Sequence, residues 1–267
     1  MNKIYLLTVL LVISGFAYGQ KPDKKAQRRD DRKQYINRLS RQEEEGTIIF
    51  SKQSAFGIKL NTDGYGAFYE LGKAKSVVKT NLYWLEIGER KSPKEEKHSY
   101  VYNSTFLGSP YIYGKINNFF FFNLGLGQQH LIGGKGNKNG VAVSAIYGGG
   151  LTAGLLKPYY VKVFSSGNQL KDIKYDSDSN KVKFLDITAV SGSSGFGKGF
   201  SEMTFVPGVQ ARIAVRFDYG RYNELLSALE TGLNFSYYTK EMPIMANNPA
   251  KKFFFNAYVA LVLGKRK

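Results

Sequence analysis

The chain has 267 residues and a formal net charge of +17 at pH 7, with 29 glycines, 19 tyrosines and 19 phenylalanines. The lack of cysteine excludes disulfides and thiolate metal sites, and the presence of only two histidines excludes a three-histidine metal centre. Many glycines and aromatic residues at a mean hydropathy of −0.30 are typical of β structure with many turns. Strongly basic chains often bind nucleic acid, but here the basic residues are spread along the sequence, so we expect no nucleic-acid partner.

Residues 1–20 have the pattern of a secretory signal peptide. Lys3 precedes an apolar run from about Ile4 to Val12, and the small residues Ala17 and Gly19 follow at the positions that a signal peptidase recognises. The run is shorter than the roughly 20 residues of a spanning helix. We therefore predict export of the mature chain. No other apolar run is long enough for a transmembrane helix, so a membrane location would require a barrel.

Residues 21–46 are polar throughout and mix basic with acidic side chains. This composition predicts a periplasmic arm that is disordered or holds a short helix around 26–42. The alternative is a basic segment that contacts a partner or an anionic surface. We place the barrel domain at 47–267.

From about Phe56 onward, hydrophobic residues alternate with polar ones in segments separated by turns and polar loops. This is the pattern of a transmembrane β-barrel. The eight predicted strands are 54–62, 64–73, 78–89, 115–128, 140–156, 204–219, 223–238 and 252–264. Ten strands are the alternative, because 158–164 and 182–190 could pair with each other or join the wall.

One face of each segment is apolar and aromatic, whereas the other is rich in glycine and carries isolated charges of both signs. A soluble sandwich also alternates, but its polar face would be rich in Lys and Glu with few glycines. A glycine-rich face suits a narrow barrel interior instead. We predict that one charge network fills this lumen, made of Lys59, Glu70, Glu86, Arg212, Arg216, Asp218 and Glu230.

Two turns predict the strand register. Asp63-Gly64 is a strong signal for a two-residue hairpin, which would place Ile58 opposite Tyr69. A turn centred on Arg221 would place Arg212 opposite Glu230. It would also bring Asp218 near Glu224, a like-charge pair that Arg216 or Arg221 would have to relieve.

The predicted connections alternate in length. Those at 74–77, 129–139 and 220–222 are short, as periplasmic turns are. Of those at 63–64, 90–114, 157–203 and 239–251, three are long, as outer loops are. This alternation supports the up-and-down topology, with the mature N-terminus in the periplasm.

Two near-motifs do not lead us to predict catalytic, cofactor-binding or metal-binding residues. Gly192–Gly199, "GSSGFGKG", fits a phosphate-binding loop after a strand-like segment, but Gly199 occupies the place of the required hydroxyl. His98 and Ser99 could serve a lipid-modifying enzyme. However, adjacent residues on a strand point in opposite directions, so the pair is poorly placed.

The eight segments, the Asp63-Gly64 turn and the long outer loops resemble the small outer-membrane barrels of Gram-negative bacteria, the OmpA/OmpX-like class. The ending "AYVALVLGKRK" and the signal ending "YGQ" resemble the Bacteroidota version. The resemblance implies an outer-membrane location, contact with outer-membrane lipid and lipopolysaccharide, and envelope protein partners. We expect a non-enzymatic structural component or a subunit of an envelope assembly or secretion complex, without a cofactor. A lipid-modifying enzyme and a narrow channel are the alternatives.

Overall fold

The computed structural model describes residues 29, 32, 33, 50–99, 101–102, 105–106, 109–136, 140–165, 169–221 and 224–267. The chain divides into two units, Met1–Glu45 and Gly46–Lys267. In the first unit the three described residues are helical. The predicted signal peptide and the rest of the predicted arm lie outside the described residues. None of the described helices is long and apolar enough to cross a membrane.

The second unit is built on eight antiparallel strands that close into a barrel. Each strand pairs with its neighbours along the chain, and the last strand pairs with the first, as in Ile58 opposite Leu261. Closure pairs the backbone of every wall strand on both sides, so the wall has no open edge. The strands are β1 (Lys52–Asn61), β2 (Gly64–Ala74), β3 (Lys79–Arg90), β4 (Asn117–Gly133), β5 (Ala142–Pro158), β6 (Thr204–Asp218), β7 (Leu225–Met242) and β8 (Lys251–Arg266).

The eight predicted strands are confirmed, and the ten-strand alternative is wrong. The short strand Val161–Phe164 lies outside the barrel, in a three-stranded sheet with Leu170–Ile173 and Val190–Ser193. The segment 182–190 begins inside the helix α1 (Asp178–Phe184). Ser177 starts this helix by accepting a hydrogen bond from the Asn180 backbone N–H. Only the start of 182–190 is therefore helical, and its last residue, Val190, pairs with Val163 outside the barrel.

Side chains alternate strictly across the barrel wall. In β6, Val209 and Ile213 are exposed on the outside, while Gln210 and Arg212 are buried inside. A wall of exposed leucine, isoleucine, phenylalanine and tyrosine is stable only against lipid, and the paired backbone lets it cross the bilayer. The chain is an outer-membrane β-barrel.

The first hairpin differs from the predicted register by two residues. Its turn consists of Thr62 and Asp63, so Ile58 lies opposite Ala67 rather than Tyr69. Gly64 is instead the first residue of β2, where a Cβ atom would stand 2.0 Å from the Glu89 carbonyl oxygen. Glycine is therefore required at position 64 because β2 and β3 approach closely there, and not because of the turn. Because the shift is two residues, both faces keep their predicted side chains.

The β6–β7 register also differs from the prediction. Arg216, not Arg212, lies opposite Glu230, and Arg212 lies opposite Asn234. The reason is a wider connection: β7 begins at Leu225, so the chain turns over residues 219–224 rather than about Arg221. The shift is again even, and Arg212 still points into the barrel.

Long connections gather at one end of the barrel, which we call the loop end. They are 91–116, 159–203 and 243–250, together with the tight turn 62–63. The other end, the turn end, has the shorter connections 75–78, 134–141 and 219–224 and both chain ends of the barrel. Outer-membrane barrels place short turns in the periplasm and long loops outside, so we expect the loop end to face out.

The three long connections fold together into what we call the outer platform. Tyr111, Val161, Val163, Ile173, Phe184 and Val190 form its buried apolar core. Polar contacts join the connections: the Ile112 N–H donates to the Tyr159 hydroxyl at 3.1 Å, and the Ala246 N–H donates to the Gly114 carbonyl at 2.7 Å. The platform also includes the short paired strands Lys97–His98 with Tyr111–Ile112 and Val101–Tyr102 with Thr105–Phe106.

We predict that Gly64→Ala destabilises the barrel by about 1–3 kcal/mol, because the added methyl group overlaps the Glu89 carbonyl. The measurement is urea unfolding of the full chain in lipid vesicles. The fluorescence of Trp84, the one tryptophan of the chain, reports the lumen.

Gly133→Ala is the matched control, since no atom lies within 4 Å of a Cβ at that strand position. Equal unfolding midpoints for the two variants would contradict the close approach at Gly64.

Candidate functional site

The predicted lumen residues all lie inside the barrel. Each is at most 3 % exposed, although each would carry a formal charge in water. Burying an unpaired charge costs several kcal/mol, so each of them needs a partner. Six of the seven meet in the middle of the lumen, and Asp218 lies apart at the turn end.

Four of these residues form a compact cluster. Arg216 bridges two carboxylates, donating to Glu70 at 2.8 and 3.0 Å and to Glu230 at 2.8 and 2.6 Å. Arg212 donates to Glu70 at 3.0 Å and lies 3.8 Å from Glu230. Tyr258 donates its hydroxyl proton to the remaining Glu230 oxygen at 2.6 Å. The cluster therefore joins strands β2, β6, β7 and β8 across the lumen.

A second ion pair lies beside the cluster. The Lys59 ammonium is 2.9 Å from the Glu86 carboxylate and 4.1 Å from the centre of the Tyr258 ring. Tyr258 thus touches both groups, through its hydroxyl and through its ring face. The pair joins β1 to β3, so the two groups together engage six of the eight strands.

The combined network is electrically neutral. Lys59, Arg212 and Arg216 contribute three positive charges, and Glu70, Glu86 and Glu230 contribute three negative ones. Buried ion pairs are tolerated when their geometry is good and hydrogen bonds satisfy the remaining atoms. Bidentate arginine–carboxylate contacts of the kind made by Arg216 have the strongest geometry of this type.

Aromatic rings fill the space around the charges. The Arg212 guanidinium lies 4.3 Å from the centre of the Trp84 ring, and Phe68 packs on Arg212 and Lys59. Trp84 fits because its neighbour on the adjacent strand β4 is glycine: a Cβ on Gly125 would stand 2.2 Å from the indole. The glycines of the inner face thus make room for large side chains rather than for water.

Asp218 belongs to a separate group at the turn end. Its carboxylate lies 2.6 Å from Arg266 and 3.6 Å from Lys135, and it accepts the Gly220 N–H at 2.9 Å. The predicted placement of Asp218 opposite Glu224 is wrong, because Asp218 lies opposite Ala228. The turn-end group ties β6 to β8 where the barrel closes.

Sequence reasoning missed Tyr258 and Arg266 as lumen residues. Both have even numbers in β8, the same parity as the inward Ala260 and Val262, so strand parity would have identified them. Lys135 was missed for another reason. It lies in a connection, where no alternation exists to show its direction.

An apolar layer closes the lumen at the loop end. It is formed by Phe119, Phe121, Leu156, Val206, Tyr238 and Met242. The Arg90 guanidinium lies between rings of this layer, 4.9 Å from the centre of Phe254, and donates to the Ser236 hydroxyl at 2.9 Å. Apolar layer, charge network and turn-end group together fill the barrel from end to end.

The two near-motifs lie in the outer platform. In Gly192–Gly199, Lys198 pairs with Asp172, and hydrogen bonds from Lys198 and Ser194 lower the pKa of that carboxyl. The strand Val190–Ser193 leads into this loop, but only the 3₁₀ turn Phe200–Glu202 follows it. The helix whose N-terminus a phosphate site needs is missing after the loop in this described segment.

His98 stands in a short strand of the platform. Its ring centre is 6.1 Å from those of Tyr111 and Tyr113. Burial raises the pKa of Tyr159, whose hydroxyl accepts a hydrogen bond from the Ile112 N–H. Among the described residues, no group of three His, Asp or Glu side chains could hold a metal ion.

Of the comparisons with known proteins, only the one with solved structures found similar proteins. No protein-family model matches the chain, and no curated protein matches it. Neisserial surface protein A has 8 % identity, with 81 % of this chain and 96 % of that chain covered at a TM-score of 0.41. The N-terminal barrel of Pseudomonas aeruginosa OprF has 10 % identity, and the alignment covers 80 % of this chain and 98 % of that chain at a TM-score of 0.37. The attachment invasion locus protein Ail of Yersinia pestis has 7 % identity, and the alignment covers 82 % of this chain and 100 % of that chain at a TM-score of 0.35.

The likeness is one of general fold. The assignment of this chain as an eight-stranded barrel follows from its own strand order and its exposed apolar wall.

We predict that Glu230→Gln destabilises the barrel by about 3–5 kcal/mol, because it leaves a net positive charge buried between Arg212 and Arg216. The double variant R212Q/E230Q should recover part of this loss, since it restores a neutral network. Urea unfolding in lipid vesicles measures both.

The matched control is Glu202→Gln in the outer platform, which also removes a carboxylate from a lysine contact, but at an exposed position. Its unfolding midpoint should stay close to that of the unmodified chain. If Glu230→Gln behaved in the same way, the network would not be a stabilising element of the lumen.

Proposed function

We propose that this protein is a non-enzymatic structural barrel of the outer membrane, acting as a component or subunit of an envelope assembly or secretion complex. The observation that carries the proposal is the filled lumen. A network of six buried charges that sums to zero, held by side chains from six strands, suits a permanent plug better than a path for solutes.

The outer platform supports the same proposal. A barrel that only filled the membrane would not need two long connections packed around a shared apolar core, with a third hydrogen-bonded to them. The buried ion pair between Lys115 and Glu95, at 2.8 Å, adds a polar tie within this region. Ordered loops on a rigid scaffold are a common basis for binding sites. We infer that the platform presents a fixed surface to a second envelope macromolecule.

Outer-membrane lipid and lipopolysaccharide are further partners in this proposal. Lys162, Lys171 and Lys183 are exposed on the outer platform, where their ammonium groups can meet lipid phosphates. Export through the signal peptide over 1–20, and an origin among Bacteroidota, belong to the same proposal. The basic arm over 21–46 would then lie in the periplasm.

The two alternative functions have less support. A narrow channel would need a continuous polar path, whereas Phe119 and Tyr238 belong to an apolar layer across the loop end. A lipid-modifying enzyme acting through His98 would need a carboxylate to orient the imidazole, and the rings around His98 are those of tyrosines.

We expect the purified full chain to leave planar lipid bilayers insulating at all applied voltages. The physical reason is the cost of moving an ion through the neutral plug and the apolar layer above it. A steady, reproducible conductance would contradict the structural proposal and favour the channel.

We also expect a photo-cross-linker at Val182 or Ile187, both exposed on the outer platform, to join the chain to one further envelope protein in intact cells. Leu124, exposed on the lipid-facing wall, is the control position and should give no such adduct. Recovery of the barrel alone from all three positions would count against a subunit role.

A further inference from the structure

A buried lysine on the outside of the barrel marks an unusual region near the loop end. Odd-numbered residues of β5, such as Tyr147 and Leu151, point outward and are exposed. Lys157 shares this parity, yet it is only 1 % exposed. A segment of the chain must therefore fold back over the outer wall and cover it.

The covering segment is residues 194–203, which we call the aromatic turn. The Lys157 ammonium lies 3.8 Å from the centre of the Phe196 ring and 4.3 Å from that of Phe200. It also donates a hydrogen bond to the Phe196 carbonyl at 2.5 Å. Two cation–π contacts and a hydrogen bond thus fix the aromatic turn to the wall.

The backbone of the aromatic turn is shaped for this close contact. Gly199 has a φ of 89°, a conformation that favours glycine. A Cβ atom there would stand 2.6 Å from the Pro158 carbonyl oxygen at the end of β5. On the platform side, Glu202 accepts hydrogen bonds from Tyr160 at 2.8 Å and Lys174 at 2.5 Å. The aromatic turn is therefore held on both sides.

The rings that hold Lys157 are themselves largely uncovered. Phe196 is 68 % exposed and Phe200 is 48 % exposed, and their ring centres lie 5.4 Å apart. Phe196 also contacts Phe120, with the ring centres 6.3 Å apart and the planes at 86°. An exposed aromatic pair in a loop is costly in water, and such patches mark contact surfaces.

The exposed pair continues the lipid-facing wall. Phe120 is an outward residue of β4 and lies opposite Leu155, which in turn lies opposite the exposed Phe205 of β6. On β4 and β5, only the outward row of Asn118 and Lys157 separates this row from the outer platform. Interfacial aromatic residues occupy this level in barrels. Because the exposed ring pair continues the lipid-facing wall, we infer that it contacts the same lipid.

We propose that the aromatic turn is a membrane-contact site, in which Phe196 and Phe200 insert into the outer leaflet and hold the outer platform against the bilayer. The ligand class is the glycerol and upper acyl region of membrane lipid. The segment "GSSGFGKG", which resembles a phosphate-binding loop in sequence, then forms part of a lipid-contact site.

Site-directed nitroxide labelling tests the proposal, and the cysteine-free chain makes each introduced cysteine unique. Gly197→Cys places a label between the two rings while leaving both intact, because no atom lies within 4 Å of a Cβ there. Leu124→Cys on the wall is the lipid reference, and Val182→Cys on the outer platform is the water reference. Each full-chain variant is reconstituted in phosphatidylcholine vesicles. Relaxation of the label by oxygen, which prefers lipid, is compared with relaxation by a nickel chelate, which prefers water.

We expect the oxygen-to-nickel ratio at residue 197 to shift from the Val182 value toward the Leu124 value. In the background F196S/F200S this shift should be lost, while V182S should leave it unchanged. Heat-dependent gel migration checks that every variant still forms the barrel.

Two outcomes would overturn the proposal. One is a ratio at residue 197 equal to that at Val182 in the otherwise unmodified chain, which would place the rings in water or against a protein partner. The other is a lipid-like ratio that persists in F196S/F200S, which would show that the rings do not cause the contact. Neither outcome depends on finding a partner for the outer platform.

Discussion

The closing pair of strands, β1 and β8, is the constraint on which the rest of the molecule depends. In a bilayer an unpaired strand edge would leave backbone N–H and C=O groups without partners, at a cost of several kcal/mol each. Closure removes that edge, but it also forces every second side chain into a narrow lumen. This constraint explains the composition of the inner face. Glycine occurs where a neighbouring ring needs the space, and a charged residue occurs where an oppositely charged partner is within reach.

The lumen shows how such a constraint is met without an open pore. Charges that would be prohibitive singly are acceptable as a neutral set with complementary geometry. Arg216 is the central member, because it contacts two carboxylates from strands on different sides of the barrel. Trp84 and Phe68 then exclude water from the same layer. The outer face of the wall presents apolar side chains to lipid. The aromatic turn extends this apolar surface to a loop.

Much of the fold could be predicted from alternation alone. A side-chain period of two assigns Arg212 and Val209 to opposite faces regardless of register, so the lumen residues could be named before their partners. The partners themselves depend on turn geometry. Arg212 and Ile58 were each paired with a wrong residue because the turns at 219–224 and 62–63 are not centred where the sequence signals lie. Contacts made by connections, such as Lys135 and the aromatic turn, obey no periodicity and needed the structure.

The neutral network also has a meaning for the order of assembly. The first four strands carry Lys59, Glu70 and Glu86, which sum to one negative charge, while the last four carry Arg212, Arg216 and Glu230, which sum to one positive charge. Glu70 of the first half accepts hydrogen bonds from Arg212 and Arg216 of the second half, so these contacts form only when the two halves meet. Completion of the network therefore coincides with closure of the wall.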